Sequence, residues 1–167
     1  MADGGTFLTT NRVFGMVRRR RPGHLGLDPF YTELLQGLES VLAESDSHII
    51  VHIVPSEADE MAAYQRWADE NVVEAVVLSD LTDDDSRARL CEELGLPAVF
   101  VGGSLRDGHA VVQVDNQAPM RVALEFLADL GHRRIGRITG PSEFLHTRVR
   151  TLAFESCIAN MGLEGYQ

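Results

Sequence analysis

Two stretches decide the fold class: Val-Gln-Val-Asp-Asn at 112–116, and Leu-Glu-Phe-Leu-Ala-Asp-Leu-Gly-His-Arg-Arg-Ile-Gly at 124–136. A short apolar strand ends in the Asp-Asn pair, and Pro119 then begins a helix, since proline suits the first helical position. Gly131 ends this helix, because glycine readily adopts the left-handed conformation found there. A new strand opens at Ile135. The order strand–helix–strand is typical of a βαβ unit.

The same alternation extends over the rest of the chain. Short apolar strands, rich in β-branched residues, are predicted at 13–17, 48–54, 75–78, 98–101, 110–114 and 135–139. Amphipathic helices are predicted to begin near residues 29, 58, 82, 119 and 147. Asp28, Ser56 and Thr82 are the expected helix caps, with the acids at 83–85 in the first turn after Thr82. We therefore predict an α/β fold, a Rossmann-like doubly wound parallel sheet with helices on both faces.

Composition narrows the possible functions. The 167 residues carry a net charge of −10, which argues against nucleic-acid binding by this segment because phosphate contacts need clustered Lys and Arg. The two cysteines form no metal-binding motif and fit a reducing, cytoplasmic setting. No apolar run is long enough to span a membrane, and no signal peptide precedes the first strand. We predict no metal, no cofactor and no membrane partner.

Five segments, in this order and spacing, resemble the effector-binding domain of the LacI/GalR family of bacterial transcription regulators. They are Asp-Pro-Phe-Tyr at 28–31, Gly-Leu-Pro-Ala-Val-Phe-Val at 95–101, Val-Asp-Asn at 114–116, Leu-Gly-His-Arg-Arg-Ile at 130–135 and Thr-Gly-Pro at 139–141. The resemblance covers nearly all of 13–163.

The resemblance implies two Rossmann-like lobes, as in periplasmic binding proteins, with a ligand cleft between them. We assign residues 1–12 to a flexible tail, 13–116 to the first lobe, and 117–167 to the hinge and a partial second lobe. Asp115 and Asn116 are expected to pack in the hinge, and contact with the ligand is the alternative. The remainder of the second lobe and an N-terminal helix-turn-helix are not in this sequence, so we expect a fragment or truncated product of a longer regulator.

The motif at 28–31 resembles the family's Asn-Pro-Phe-Phe at the mouth of the cleft. By position, Tyr31 takes the role of the aromatic ring that stacks on the ligand, with Phe30 beside it. Asp28 is expected to be both a helix cap and a wall of the cleft. The alternative is that Phe30 and Tyr31 are the ordinary first turn of an amphipathic helix.

The resemblance also implies polar ligand contacts. Arg148 and Arg150 match a family arginine pair at the start of the second lobe's first helix, and an arginine fork can hold hydroxyls or a carboxylate. Ser79 and Asp80 follow a strand, at the edge of the sheet where ligands bind in such folds. A solvated surface for the arginines, and a turn role for Ser79 and Asp80, remain open.

Some residues depart from the family pattern or carry a second interpretation. Gly102-Gly103 stands where many relatives have an Asp, and Ala153-Phe154 where Gly-Tyr is usual. The basic cluster at 18–21 could face an anionic effector such as a sugar phosphate, or be a solvated loop. His132 belongs to a turn and is expected to be structural.

The sequence is thus interpreted as the sensor of a LacI-type regulator, in which a carbohydrate or related small-molecule effector binds between the lobes. A homodimer would form through first-lobe helices such as 32–43, although burial in the core explains the apolar stripe of this helix, which includes Leu34, Leu38 and Val41, equally well. DNA would be reached only through a helix-turn-helix absent from this chain. A stand-alone solute-binding protein of the same fold is the alternative. An enzyme is disfavoured, since no Gly-x-Ser-x-Gly elbow, P-loop or Gly-x-Gly-x-x-Gly motif is present.

Overall fold

The computed structural model describes residues 12–20, 28–102 and 110–167 of the chain. The tail at 1–11, Arg21 of the basic cluster and Gly103 lie outside these residues. Contacts between Cα atoms divide the chain into two compact units. Unit 1 is Met1–Leu78 with Ser86–Ala98, and unit 2 is Ser79–Asp85 with Val99–Gln167.

Strands and helices alternate along the described residues, as the sequence predicts. The strands are β1 (Val13–Arg19), β2 (His48–Val54), β3 (Ala75–Leu78), β4 (Ala98–Val101), β5 (Ala110–Val112), β6 (Arg134–Gly136) and β7 (Glu164–Tyr166). The helices are α1 (Pro29–Leu42), α2 (Glu57–Asp69), α3 (Ser86–Glu93), α4 (Ala118–Asp129) and α5 (Leu145–Met161).

One sheet has the strand order β2-β1-β3-β4-β5, and β6 pairs with β7 in a second sheet. β1 runs parallel to both β2 and β3, and β4 runs parallel to β5. Parallel neighbours need a crossover connection, which the intervening helices supply. Placing β1 between β2 and β3 reverses the direction of winding, which defines a doubly wound sheet. The predicted α/β fold class is confirmed.

In unit 1, β1 shows how the helices cover the sheet. Successive side chains of a strand point to opposite faces. Arg18 lies over the ring of Tyr31 on α1, whereas Arg19 forms an ion pair with Glu60 on α2. α1 and α2 therefore lie on opposite faces. In the middle of β1, the ring of Trp67 packs so closely on Gly15 that a Cβ would clash with it.

A buried ion-pair cluster joins the helices on the α2 face. Glu60 is 1% exposed, and its carboxylate lies 3.1 Å from the Nη1 of Arg87 on α3 and 3.1 Å from the Nε of Arg19. The hydroxyl of Tyr64 donates to Glu60 at 3.2 Å. Burial and the charge of Glu60 raise the pKa of Tyr64, so this hydroxyl stays protonated and remains a donor.

Unit 2 has a core of its own beneath α4. Leu124, Ile135 and Phe154 are buried, and Leu127 packs against them. Helical spacing predicts a different apolar face for α4, which omits Leu124. Of the predicted residues only Leu127 packs in the core, and the other four are exposed: Val122, Ala123, Phe126 and Leu130. The arc of apolar residues on α4 is wider than the surface that the described residues of this unit cover.

Two local predictions are wrong. α3 begins at Ser86 and not after Thr82, because the acids at 83–85 form a turn in which the Thr82 N–H donates to Asp85 Oδ2 at 3.2 Å. An acidic side chain that bonds local backbone competes with helix formation. Strand β7 is absent from the prediction, since its three exposed residues, with Gly165 at the centre, show no apolar alternation.

Candidate functional site

The predicted aromatic group lies at the start of α1, in unit 1. Asp28 caps the helix, as predicted, by accepting a hydrogen bond from the backbone N–H of Phe30 at 3.0 Å, and Pro29 occupies the first turn. Phe30 and Tyr31 contact edge to face, with ring centroids 5.1 Å apart. Phe30 is 46% exposed, whereas Tyr31 is 5% exposed. Phe30 is therefore the ring of this pair that solvent can reach.

A cation covers one face of the Tyr31 ring. The guanidinium carbon of Arg18, near the carboxyl end of β1, lies 3.4 Å from the ring centroid. A guanidinium over an aromatic face is attracted by the ring quadrupole. The stack joins the basic cluster to the aromatic motif, two features that the sequence analysis treats separately.

The predicted residues Ser79 and Asp80 lie in unit 2, directly after β3. Ser79 is buried and Asp80 is half-buried, with a left-handed backbone at φ 52°. Asp tolerates this conformation better than most residues, because its short side chain can bond locally. The turn that follows is held against α5, since the Leu145 N–H donates to the Leu81 carbonyl at 2.9 Å.

Arg148 is joined to the same turn by its side chain. Its two terminal nitrogens donate to the two carboxylate oxygens of Asp83 in a bidentate pair. The hydrogen bond and charge of Asp83 raise the pKa of Arg148. The structure thus brings the segment after β3 together with the first turn of α5, although Asp83 is not among the predicted site residues.

Arg150 contacts a different partner. Its Nε donates to the side-chain oxygen of Asn116 at 2.8 Å, and the Asn116 amide nitrogen donates to the Val114 carbonyl at 3.1 Å. The neighbouring Asp115 instead bonds the backbone at the start of α4, accepting from the Gln117 and Ala118 N–H groups at 2.9 and 3.0 Å. These two backbone hydrogen bonds hold the pKa of Asp115 below its usual value of 3.8.

Arg137, which follows β6 directly, is not among the predicted site residues. Its Nη1 donates to Thr151 Oγ1 at 3.0 Å and to Gln167 Oε1 at 2.8 Å. Partial burial lowers the pKa of Arg137, and the nearby charge of Arg150 lowers it further. The rule that ligands bind beyond the carboxyl ends of strands could have found this residue. The charged groups of Arg137 and Arg150 therefore lie close enough together in unit 2 to affect one another.

A groove of about 390 Å³ lies away from every predicted site residue. It forms where α1 ends and β2 begins, at the amino edge of the sheet, whereas ligands in such folds bind at the carboxyl edge. We assign it no role. Its lining residues are Glu39, Leu42, Ala43, Asp46, Ser47, His48 and Ile49.

Other kinds of site are not found in residues 12–20, 28–102 and 110–167. No group of three or more His, Cys, Asp or Glu side chains in these ranges is arranged to hold a metal ion. No helix there is both long and apolar enough to cross a bilayer. Cys91, which is buried, and Cys157, which is half-buried, are not joined in a disulfide.

Curated proteins whose sequences are similar to this chain include transcriptional regulators. AglR, a transcriptional regulator of Rhizobium meliloti, is 32% identical over 139 residues, which cover 81% of this chain and 38% of that protein. An uncharacterised HTH-type regulator of Streptomyces limosus is 30% identical over 157 residues, covering 87% of this chain and 45% of that protein. The chain thus spans about half the length, or less, of these curated relatives.

Solved structures and a family profile agree with these relatives. The complex of the regulator CelR with cellobiose superimposes with a TM-score of 0.79 at 26% identity, over 92% of this chain and 49% of that one. The profile described as periplasmic binding proteins and sugar binding domain of LacI family matches residues 24–167, nearly the whole chain. The chain therefore belongs to the family of periplasmic binding proteins and LacI-type sugar-binding domains.

Proposed function

We propose that this chain is the effector-binding and dimerisation domain of a LacI-type transcriptional regulator, and that its effector is a sugar. The observation that carries the proposal is a group of polar residues in unit 2, which we call the polar corner: Ser79, Asp80, Asp83, Arg148 and Arg150. There the turn after β3, which bears Ser79 and Asp80, is held to the first turn of α5 through Asp83 and Arg148. Arg150 projects from the next turn of the same helix.

The chemistry of the predicted residues suits a carbohydrate. Arg148, Arg150, Ser79 and Asp80 supply charged and neutral groups that can bond hydroxyls. Phe30 supplies an exposed ring that can stack on sugar C–H groups, with Tyr31 and Arg18 packed behind it and Asp28 fixing the helix start. In this proposal the stacking role moves from Tyr31 to Phe30, since Tyr31 is buried. We propose no catalytic residue.

The names of relatives support a sugar effector. One solved relative is a CelR–cellobiose complex, and curated relatives include a maltose regulon regulatory protein and a ribose operon repressor of Escherichia coli. All three similarities lie at 26% identity. They favour the regulator over a stand-alone solute-binding protein.

We propose that DNA is bound by a helix-turn-helix outside this sequence and that the regulator acts in the cytoplasm. The relatives named as HTH-type regulators are more than twice as long as the matched segment. The net charge of −10 on this chain is unsuited to contacts with phosphates. Effector binding would then alter the geometry of the attached DNA-binding domains through the dimer.

For the homodimer, we propose the exposed face of α1. The predicted buried stripe on this helix is only partly buried: Leu34 and Leu38 are half-buried, and Val41 is 66% exposed. These residues recur at helical spacing and so form one apolar face. β2, at the edge of the sheet, exposes Ile53, which is in register with Arg18 and so points to the face that α1 covers. Exposed apolar patches of this kind mark interaction surfaces.

Thermal unfolding with a panel of small molecules tests the sugar proposal. The panel contains cellobiose, maltose and ribose, with alanine and adenine as non-sugar controls. A sugar bound at about a hundred times its Kd stabilises the fold by about 3 kcal/mol, which raises the Tm by roughly 5–10 °C. Stabilisation by a sugar and not by the controls supports the proposal. Stabilisation by adenine alone, or by nothing in a wider sugar panel, would refute it.

A further inference from the structure

Asn116 has both ends of its side-chain amide occupied in a way that fixes its orientation. The side chain is 9% exposed, the amide nitrogen donates to the Val114 carbonyl, and the amide oxygen accepts from Arg150 Nε. If the amide were flipped, two donors would face each other at Arg150 and two acceptors at Val114. The hydrogen-bond network therefore assigns the oxygen to Arg150.

The hydrogen bond at Nε restricts the orientation of the whole Arg150 guanidinium. The group is planar, so one in-plane hydrogen bond restricts its rotation. The two Nη nitrogens lie in the same plane, and their outer edge can donate two roughly parallel hydrogen bonds to one acceptor pair. Within the described residues, Asn116 is the side chain that hydrogen-bonds Arg150. A long side chain that is already ordered loses less entropy when it binds.

Arg150 and Arg148 differ in the charge of their partners, since Arg150 bonds a neutral amide and Arg148 bonds a carboxylate. Arg148 is paired with the carboxylate of Asp83, which offsets its charge. Asn116 accepts the hydrogen bond from Arg150 without offsetting the charge, and the adjacent carboxylate, Asp115, bonds the start of α4 instead. Arg150 is thus oriented by a neutral partner, and charge-assisted hydrogen bonds donated by a guanidinium are the stronger kind.

We infer that Asn116 is a positioning residue, which holds the Arg150 guanidinium in a fixed plane with its two Nη nitrogens directed to the effector. This goes beyond the hinge role that the sequence predicts for Asn116. It rests on the proposed function, because Arg150 contacts an effector only if the chain binds one.

The orientation of Arg150 can be measured without any effector. In a ¹⁵N-edited NMR spectrum, the Nε–Hε signal of Arg150 is the one lost in Arg150→Lys. We expect this proton to exchange slowly with water in the wild type and much faster in Asn116→Ala, because the bond at Nε is gone. Asn116→Asp keeps an acceptor oxygen and should restore slow exchange. Asn160→Ala, a change of the same size at an exposed position on α5, should have no effect.

The affinity for cellobiose then tests whether the orientation of Arg150 contributes to effector binding. By calorimetry, Asn116→Ala should weaken binding about tenfold, the size of a hydrogen bond to a charged group. In an Arg150→Ala background the same change should cost less than about twofold, because interacting residues are not additive. Asn116→Ser covers the case in which Asn116→Ala does not fold, since a short hydroxyl cannot span the distance to Arg150.

The outcomes separate the two proposals. If neither cellobiose nor any other sugar binds the wild type, the proposed function fails, while the NMR exchange rate still decides whether Asn116 orients Arg150. Unchanged Hε exchange in a folded Asn116→Ala protein overturns the inference. So does an equal loss of cellobiose affinity in the wild-type and Arg150→Ala backgrounds, which would indicate a merely structural role.

Discussion

Two adjacent residues between β5 and α4 form different contacts. Asp115 bonds the backbone at the start of α4, and Asn116 bonds the side chain of Arg150 on α5. A carboxylate suits the first contact because the N-terminus of a helix attracts negative charge. A neutral amide suits the second because it leaves the charge of Arg150 intact. One dipeptide thus ties together the two helices of unit 2.

The two backbone hydrogen bonds that Asp115 accepts predict that the free energy of unfolding depends on pH. The folded pKa of Asp115 lies below 3.8, so its contribution is complete above that pH and is lost as the pH falls through the folded pKa. Asp115→Ala should therefore lower the urea midpoint at neutral pH, and the difference from the wild type should shrink in acid. Asp129→Ala, at the other end of α4, is the control. An equal difference at both pH values would contradict this account.

The close approach of Trp67 to β1 predicts opposite effects for two glycine substitutions. Gly15→Ala places a Cβ against the Trp67 ring and should cost about 1–3 kcal/mol of unfolding free energy, as overpacking does. Gly37→Ala on α1 meets no atom within 4 Å and should gain about 0.5–1 kcal/mol from helix propensity. Urea denaturation measures both. A Gly15→Ala protein as stable as Gly37→Ala would show that the ring can move aside.

Among the helices, α1 has a clear start but buries only Tyr31 fully. Asp28-Pro29 predicts where it begins, because a side-chain acceptor and a proline at the first turn are strong local signals. The face that it presents beyond the core is not a local property. Helical periodicity cannot distinguish a stripe that packs inside the protomer from one that packs against another protomer.

The proposed dimer face predicts that one mutation can disrupt the dimer without unfolding the protomer. Val41→Glu adds a charge at an exposed apolar position on α1, so it should shift the chain from dimer to monomer with little change in the protomer's unfolding midpoint. Light scattering after size-exclusion chromatography measures the mass. Val122→Glu, on an exposed position of α4, is the matched control and should remain dimeric. A monomeric wild type, or a dimer that Val41→Glu leaves intact, would exclude this face.

Element boundaries were predictable where apolar pattern and caps coincide, as in β2, β3 and β4, which match the predicted bounds. The prediction of α3 was wrong because Asp85 can bond either as a helix residue or across a turn, and the sequence does not show which bond forms. β7 was missed because its exposed strand depends on pairing with β6, a tertiary contact.

At the scale of the whole molecule, the order of strands and helices was sufficient to predict the doubly wound sheet, and the motifs were sufficient to identify the family. The individual contacts of the candidate site were not predictable. That Arg18 covers Tyr31, that Asp83 pairs with Arg148 and that Asn116 holds Arg150 depend on residues brought together from distant parts of the sequence. Arg148 and Arg150 were found by motif, but their different partners were not.

The central claim is that this chain binds a sugar through the polar corner of unit 2. Isothermal calorimetry of the wild type, Arg150→Ala and Arg121→Ala, with the sugar that stabilises the wild type most, tests it directly. Arg121 is an exposed arginine on α4 paired with Glu125, and its loss should leave the Kd unchanged. Arg150→Ala should weaken binding by about 30-fold or more, as expected when a charged hydrogen-bond donor is removed. Equal Kd values for all three proteins would contradict the account.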